Sequence, residues 1–445
     1  MPHVTPLVGA GRRPRAGKEA TVPPELISIL VLVAAFAVAT TLSVNMGVLA
    51  FAAAFLVATL VAGLSEDDIF AGFPGDLFVV LVGVTYLFAI ARANGTTDWL
   101  VRQAVRLVGG RIALVPWVMF GIGAVLTAIG AVSPAAVAIV APIALNLAAQ
   151  YRINPLLMGA MVVHGTQAGG FSPISIYGTI VNGVVARSGL PSNPVVLFLG
   201  SFAVNAVIAA VVFVVLGGLK LVRAEARQPA LVGGGADVVV DETENVRLDR
   251  DRVLTLVGLA ILVVTTLGFG LDVGLVAMSV AVVLSLVSPK TARQAPGEVA
   301  WPTVLLICGV LTYVGVLEKM GTIDYVGHSV AGIGIPLLAA LLLCYIGAVV
   351  SAFASSVGLM GALIPLAVPF LLQGSIGPVG MITALAVAST VVDVSPFSTN
   401  GAIVLANAKG VDRDAFFRRL LVYGAMIVAI VPAALWLVLV LPNLG

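Results

Sequence analysis

The residues best suited to chemistry in this 445-residue chain lie in two copies of one motif, Ser-Pro-x-Ser-x-x-Gly. It reads Ser172-Pro173-Ile174-Ser175-Ile176-Tyr177-Gly178 in the first half and Ser395-Pro396-Phe397-Ser398-Thr399-Asn400-Gly401 in the second, each midway along an apolar run. Proline removes a backbone donor and clashes with the preceding turn, so each run should break there. A break frees carbonyls on one side, which suit a cation, and N–H groups on the other, which suit an anion. Ser172, Ser175, Ser395, Ser398, Thr399 and Asn400 add hydroxyls and an amide at these breaks and are the candidate substrate ligands. Ionisable groups inside apolar runs are functional hypotheses by default. Asp393, just before the second motif, is therefore the candidate for cation binding or proton coupling, and its counterpart in the first copy is Gly170. His164, Gln167 and Tyr177 are further possible pocket residues, with His164 reading more readily as a satisfied interior histidine.

These groups need elements to hold them, and the composition says which. Sixty per cent of the residues are hydrophobic and only 10% charged, more apolar surface than a soluble core can hide. Backbone polar groups in lipid must be bonded within their own segment, and about 20 apolar residues cross the hydrocarbon as a helix. The pattern predicts an all-α membrane protein with ten transmembrane helices near 26–42, 47–64, 77–91, 155–185, 195–219, 253–271, 273–287, 304–317, 378–408 and 420–441. Two stretches, 113–149 and 335–372, are too long for one crossing and are interrupted by small polar residues, Ser133-Pro134 and Ser355-Ser356. Each fits a re-entrant hairpin, tolerated at membrane depth where it packs in protein or lines a wet cavity. The hairpin tips Val132-Ser133-Pro134 and Ser355-Ser356-Val357 are the natural partners of the two breaks.

The halves repeat. A constant shift of 223 residues carries Ser133 to Ser356, Pro142 to Pro365, Gln150 to Gln373, Pro155 to Pro378, Met158 to Met381 and each member of the first motif to the second, without a gap. Three prolines and three serines in register are hard to obtain by chance, and repeats of this kind organise transporters. Each half reads as three spans, an amphipathic segment (Gly95-Thr96-Thr97-Asp98; Gly321-Thr322-Ile323-Asp324), a hairpin, a broken span and a last span. Five full crossings is an odd number, so the second copy enters the membrane upside down. The plan is thus two inverted-topology repeats: 1–222, with a tail at 1–25, the hairpin 113–149 and the broken span 155–185; a linker at 223–250; and 251–445, with the hairpin 335–372 and the broken span 378–408.

With the N-terminus outside, 17 of the 23 Lys and Arg residues fall on the cytoplasmic side, as does the 223–250 linker. The tail with Arg12, Arg13, Arg15 and Lys18 is the misfit, and the run after it is too long for a cleaved signal peptide. Cys308 and Cys344 have no metal-ligand spacing and read as buried small side chains. No basic patch with interleaved aromatics suggests nucleic acid. No Lys or Arg is expected at the midplane, so a bound anion must rely on hydroxyls, amides, helix N-termini and a co-bound cation, which favours symport. An intramembrane enzyme built on Asp393, His164 and the serines is a remote alternative, lacking His-Glu-x-x-His and an aspartyl pair. A channel is a third.

In its hairpins and broken spans, and in layout over nearly the whole chain, the sequence resembles the dicarboxylate carrier family of the malonate-carrier type, within the ion transporter superfamily that includes divalent-anion/sodium symporters. Those symporters carry Ser-Asn-Thr at each hairpin tip. The tips here, with Ser133 and Ser356 as substrate contacts and Val132 and Ser355 on the cation side, depart from that triplet. The resemblance implies a homodimer and an elevator-type transporter, with a scaffold, a mobile transport domain and sodium at the tips and broken spans. It also implies the function expected here: uptake of a small dicarboxylate of malonate or C4 type across a prokaryotic plasma membrane. Coupling would be to a cation, Na+ before H+, with no other cofactor and no enzymatic activity. The alternative is proton-coupled or uncoupled transport of another organic or inorganic oxyanion.

Overall fold

The computed structural model describes residues 23–42, 44–106, 111–227, 248–323, 325–326, 336–352, 356–372, 374, 376–408 and 410–443. Ser355, Gln373, Asp324, most of the tail and residues 228–247 of the expected linker lie outside the described residues.

All regular structure among the described residues is helical. The first half holds α1 (Pro24–Leu42), α2 (Met46–Val57, continued by a π turn over Ala58–Ala62), α3 (Glu66–Ala71), α4 (Gly75–Ala93) and α5 (Thr96–Arg106). The α6 (Val115–Ala128) and α7 (Ser133–Gln150) pair follows, then α8 (Pro155–Gly169), α9 (Ile176–Arg187), α10 (Pro194–Val215) and α11 (Gly218–Arg227). The second half holds α12 (Arg250–Phe269), α13 (Val273–Val287), the short α14 (Pro289–Ala292) and α15 (Ala295–Glu298), and α16 (Trp301–Lys319). After it come α17 (Pro336–Ser351), α18 (Ser356–Leu372), α19 (Pro378–Val391), α20 (Thr399–Asn407) and α21 (Arg413–Leu435). The order of long elements in the second half repeats that of the first. Helix α11 reaches Arg227, so the expected linker at 223–250 begins inside a helix and ends where α12 starts.

Among the described residues, six helices are long and apolar enough to cross a membrane alone: α4, α7, α10, α12, α16 and the span that begins with α21. Helices α8 and α9 are 15 and 12 residues long and are separated by the Ser172-Pro173 break, so a crossing needs both. Burial sorts the spans into inner and outer. Helices α4 and α16 are 61% and 67% buried over their apolar windows, whereas α10 and α12 are 28% and 22% buried and turn their other faces outward. Leu60, Val215, Phe269 and Leu286 are each more than 70% exposed, an arrangement that water would penalise and lipid tails accept.

The inner spans meet at glycines. A Cβ at Gly309 on α16 would overlap the carbonyl of Gly47 on α2, and one at Gly83 on α4 would come 2.5 Å from the carbonyl of Gly274 on α13. The second span of each half thus crosses the third span of the other, backbone against backbone, as small residues permit in membranes. Gly47 and Gly274 are 227 residues apart and Gly83 and Gly309 are 226 apart, close to the offset of the motifs.

Charged contacts separate two ends of the bundle. At one end Arg187 pairs with Asp76, and Lys319 Nζ donates to Asp68 Oδ1 at 2.7 Å. The acidic loop there is a capped helix start: Ser65 caps α3, and Asp68 returns a hydrogen bond to the Ser65 backbone. Lys319 and then Ser65 pull the Asp68 carboxyl down from its ordinary 3.8 to about 2. At the other end Arg92 pairs with Glu298, Arg252 Nε donates to the Asn94 carbonyl at 3.1 Å, and Asn45 Nδ2 donates to the Pro302 carbonyl at 3.0 Å.

Candidate functional site

Each Ser-Pro motif folds into the same knot. Ser175 caps α9, its hydroxyl accepting the Gly178 N–H at 3.2 Å and lying 2.5 and 2.6 Å from the carbonyls of Gly170 and Ser172. Ser398 caps α20 in the same way, accepting the Gly401 N–H at 3.2 Å and facing the carbonyls of Asp393 and Ser395. The terminal glycine is sterically required, because a Cβ at Gly178 would overlap the Ser172 carbonyl and one at Gly401 the Ser395 carbonyl. Ser172 donates to the Ala128 carbonyl at 2.6 Å and thereby ties the first break to the first hairpin. Proline breaks the helix, serine restarts it and glycine lets the turn close.

The knot holds Asp393 in place. Its side chain is 7% exposed. Ser356 Oγ donates to Oδ1 at 2.5 Å, and Gln167 Nε2 donates to Oδ2 at 3.0 Å. Ser351 donates to Ser356 at 2.7 Å, so two hydroxyls in series end on the carboxylate. The hairpin α17–α18, the broken span α19–α20 and helix α8 of the other half therefore meet at one carboxylate. The two halves of the sequence meet again at Ser133. Thr166 Oγ1 donates to the Val163 carbonyl at 2.8 Å, Ser133 donates to Thr166 at 3.0 Å, and Asn400 Nδ2 donates to Ser133 at 2.9 Å. A carbonyl can only accept, so this chain is polarised and turns Asn400 Oδ1 away from Ser133. Oδ1 of Asn400 and Oε1 of Gln167 are buried acceptors without a protein hydrogen-bond partner.

A cavity of about 790 Å³ reaches this cluster. Among the residues lining it are Val132, Pro134, Tyr177, Ser356, Asp393, Ser398, Thr399 and Asn400, together with Asn45, Thr85, Arg92, Thr97, Glu298 and Thr303. Residues of the first turns of α7, α9, α18 and α20 (Pro134, Tyr177, Ser356 and Thr399) are in its wall, so four helix N-termini bring partial positive charge to it. The lining runs out to Arg92 and Glu298, half-exposed at one end of the bundle, and includes neither Asp68, Asp76, Arg187 nor Lys319 of the other end.

The sequence-derived candidates divide accordingly. Val132, Tyr177, Ser356, Asp393, Ser398, Thr399 and Asn400 line the cavity; Ser133 and Gln167 sit one hydrogen bond behind it. Ser172, Ser175 and Ser395 are not among its lining residues: the Ser172 hydroxyl is spent on the Ala128 carbonyl of α6, Ser175 serves its own turn, and Ser395 accepts the Phe397 N–H at 3.3 Å. Gly170 contributes its carbonyl to Ser175 and lies against the Tyr177 ring. His164 is off the cavity. Asn205 Nδ2 is used on the Ser201 carbonyl, so Asn205 Oδ1 accepts from His164 Nδ1 at 2.9 Å, and Nε2 takes the Tyr423 hydroxyl at 2.6 Å. That histidine joins α8, α10 and α21 and is not among the lining residues of the cavity. Asn205 and Ser201, polar residues in an apolar span, were the signal that sequence reading passed over, and Arg92, Glu298 and Asn45 are cavity residues it left in loops.

A family model for the N-terminus of the dicarboxylate carrier protein MatC matches residues 22–170, which runs from the start of α1 to the first break. Two curated mycobacterial proteins are each 26% identical over 311 residues, covering 67% of this chain and 69% of theirs. They are Uncharacterized transporter Mb2703 of Mycobacterium bovis and Uncharacterized transporter Rv2684 of Mycobacterium tuberculosis. The crystal structure of the Alcanivorax borkumensis YdaH transporter superposes with a TM-score of 0.57 at 16% identity, covering 94% of this chain and 98% of that one. The likeness to the dicarboxylate carriers is thus matched over the first third of the chain, and the fold is similar to that of the YdaH transporter over nearly all of it.

Proposed function

We propose that this protein carries a small dicarboxylate, of malonate or C4 size, across a prokaryotic plasma membrane in symport with a cation. The carboxylate of Asp393 carries the reading. It is buried at a helix break, gripped by a hairpin hydroxyl from its own half and an amide from the other, and lines a cavity wide enough for such an acid. Four helix N-termini and the hydroxyl of Thr399 supply donors to a carboxylate substrate. A dianion beside Asp393 needs a compensating positive charge, and Arg92, the one Lys or Arg among the described lining residues, is already paired with Glu298 at the end of the bundle. The coupling cation fills that role. Sodium is favoured because hard cations take oxygen ligands, and Gln167 Oε1 and Asn400 Oδ1 are acceptors still to be used.

A cavity whose described lining runs to Arg92 and Glu298 and includes none of the charged pairs of the other end suits alternating access between two inverted halves. The resemblance to the carriers supports a homodimer and an elevator motion, and the count of basic residues supports an outer N-terminus. A proton-coupled reading has its own observation, the Ser351–Ser356–Asp393 relay of hydroxyls. Purified protein in liposomes distinguishes the two: labelled malonate or succinate should accumulate under an imposed Na+ gradient at equal pH. Accumulation under a pH gradient alone would favour protons, dependence on neither would remove coupling, and no dicarboxylate uptake at all would remove the substrate assignment.

A further inference from the structure

Three charged side chains line the described cavity: Asp393 at its inner end, and Arg92 and Glu298 at its mouth. Arg92 closes the last turn of α4, and Glu298 ends α15 just ahead of α16. Arg92 Nη2 donates to Glu298 Oε2, and the two side chains are 48% and 45% exposed. A pair so exposed contributes little to stability and exchanges readily. Its geometry is nevertheless specific: guanidinium is the side chain that best holds a carboxylate, offering two parallel N–H donors. The carboxylate it holds here belongs to the protein. Any dicarboxylate entering or leaving by this mouth passes the one lining cation and finds its place taken by an isosteric group.

We infer that Arg92 is a capture site for substrate carboxylates at the cavity mouth and that Glu298 is its built-in competitor. This rests on the dicarboxylate reading above and adds a second, weaker anion site, reached before Asp393 and regulated by exchange. The walls support it. Arg92 stands on α4 and Glu298 just ahead of α16, the spans held by glycine crossings, whereas Asp393, Ser356 and Asn400 belong to the hairpin and the broken span, whose α18 packs on α16. An anion handed from Arg92 to the helix N-termini therefore passes from the spans to the hairpin and broken span, and Glu298 returns to Arg92 behind it.

The sign of two variants tests the inference. In proteoliposomes with substrate presented on the Arg92 side, R92Q is expected to raise the KM for succinate about fivefold and E298Q to lower it about as much, each changing KM more than kcat. A pair that merely latches the two segments would lose its function equally in either variant. Shifts of the same sign in R92Q and E298Q, or equal shifts with substrate on the opposite side, would overturn the capture site while leaving the carrier reading intact. Absence of succinate and malonate uptake by the wild-type protein would overturn the carrier reading, and the capture site with it.

Discussion

Asp393→Asn removes a charge and keeps a shape. In the wild-type protein Oδ1 accepts from Ser356 at 2.5 Å and Oδ2 from Gln167 Nε2 at 3.0 Å. The asparagine oxygen keeps the first bond. The new amide nitrogen faces Gln167 Nε2, donor against donor, until the Gln167 amide turns over and presents Oε1, which has no protein donor to lose. The cost to folding is then about that of one neutral hydrogen bond, roughly 1 kcal/mol. The cost to a bound cation is larger: a unit charge about 4 Å from the carboxylate loses about 4 kcal/mol at an effective dielectric constant near 20. At about 1.4 kcal/mol per decade that is close to a thousandfold in cation affinity. The assay is uptake of labelled succinate into proteoliposomes as a function of Na+ at fixed pH and of pH at fixed Na+. D393N should retain its melting temperature within a few degrees, shift or lose its cation dependence by at least about a hundredfold, and change the succinate KM at saturating cation far less. A cation dependence identical to the wild type would refute the assignment of Asp393.

Three further outcomes follow from the same contacts. Ser356→Phe fills the cavity at the hairpin tip and should abolish uptake with expression and monodispersity intact, whereas Ser398→Phe also removes the α20 cap and should lower stability by about 0.5–2 kcal/mol, seen as a lower melting temperature. Gly309→Ala forces a Cβ into the Gly47 carbonyl and should cost about 1–3 kcal/mol, while Gly268→Ala, with nothing within 4 Å, should be neutral or stabilising in the same thermal assay. His164→Ala strands Asn205 Oδ1 and the Tyr423 hydroxyl in the interior and should cost about 2–5 kcal/mol in stability, with the succinate KM of the folded fraction unchanged; a shift in KM would return His164 to the pocket.

The spans were legible because lipid demands long apolar helices and this sequence supplies them in runs. The breaks were legible because proline has one consequence inside a helix wherever it occurs, and two copies in register made the consequence hard to miss. What a hydroxyl does with its hydrogen bond was not. Ser172, Ser175 and Ser395 look like ligands in the sequence, yet their hydroxyls are taken by backbone groups, Ser172 by the Ala128 carbonyl of α6 and Ser175 and Ser395 by their own turns. Ser398 does the same and still faces the cavity, a difference that depends on tertiary packing. Contacts between distant segments were equally hidden. His164 meets Tyr423 across 259 residues, and Arg92 meets Glu298 across 206, so no local pattern could join them.

A density map of the protein in lipid nanodiscs with Na+ and malonate or succinate bound is the most direct measurement of the site. Substrate density is expected among Ser356, Ser398, Thr399 and Asn400, with a cation between it and the Asp393 carboxylate. Substrate density away from the two helix breaks, or a continuous helix through Ser395-Pro396, would contradict it.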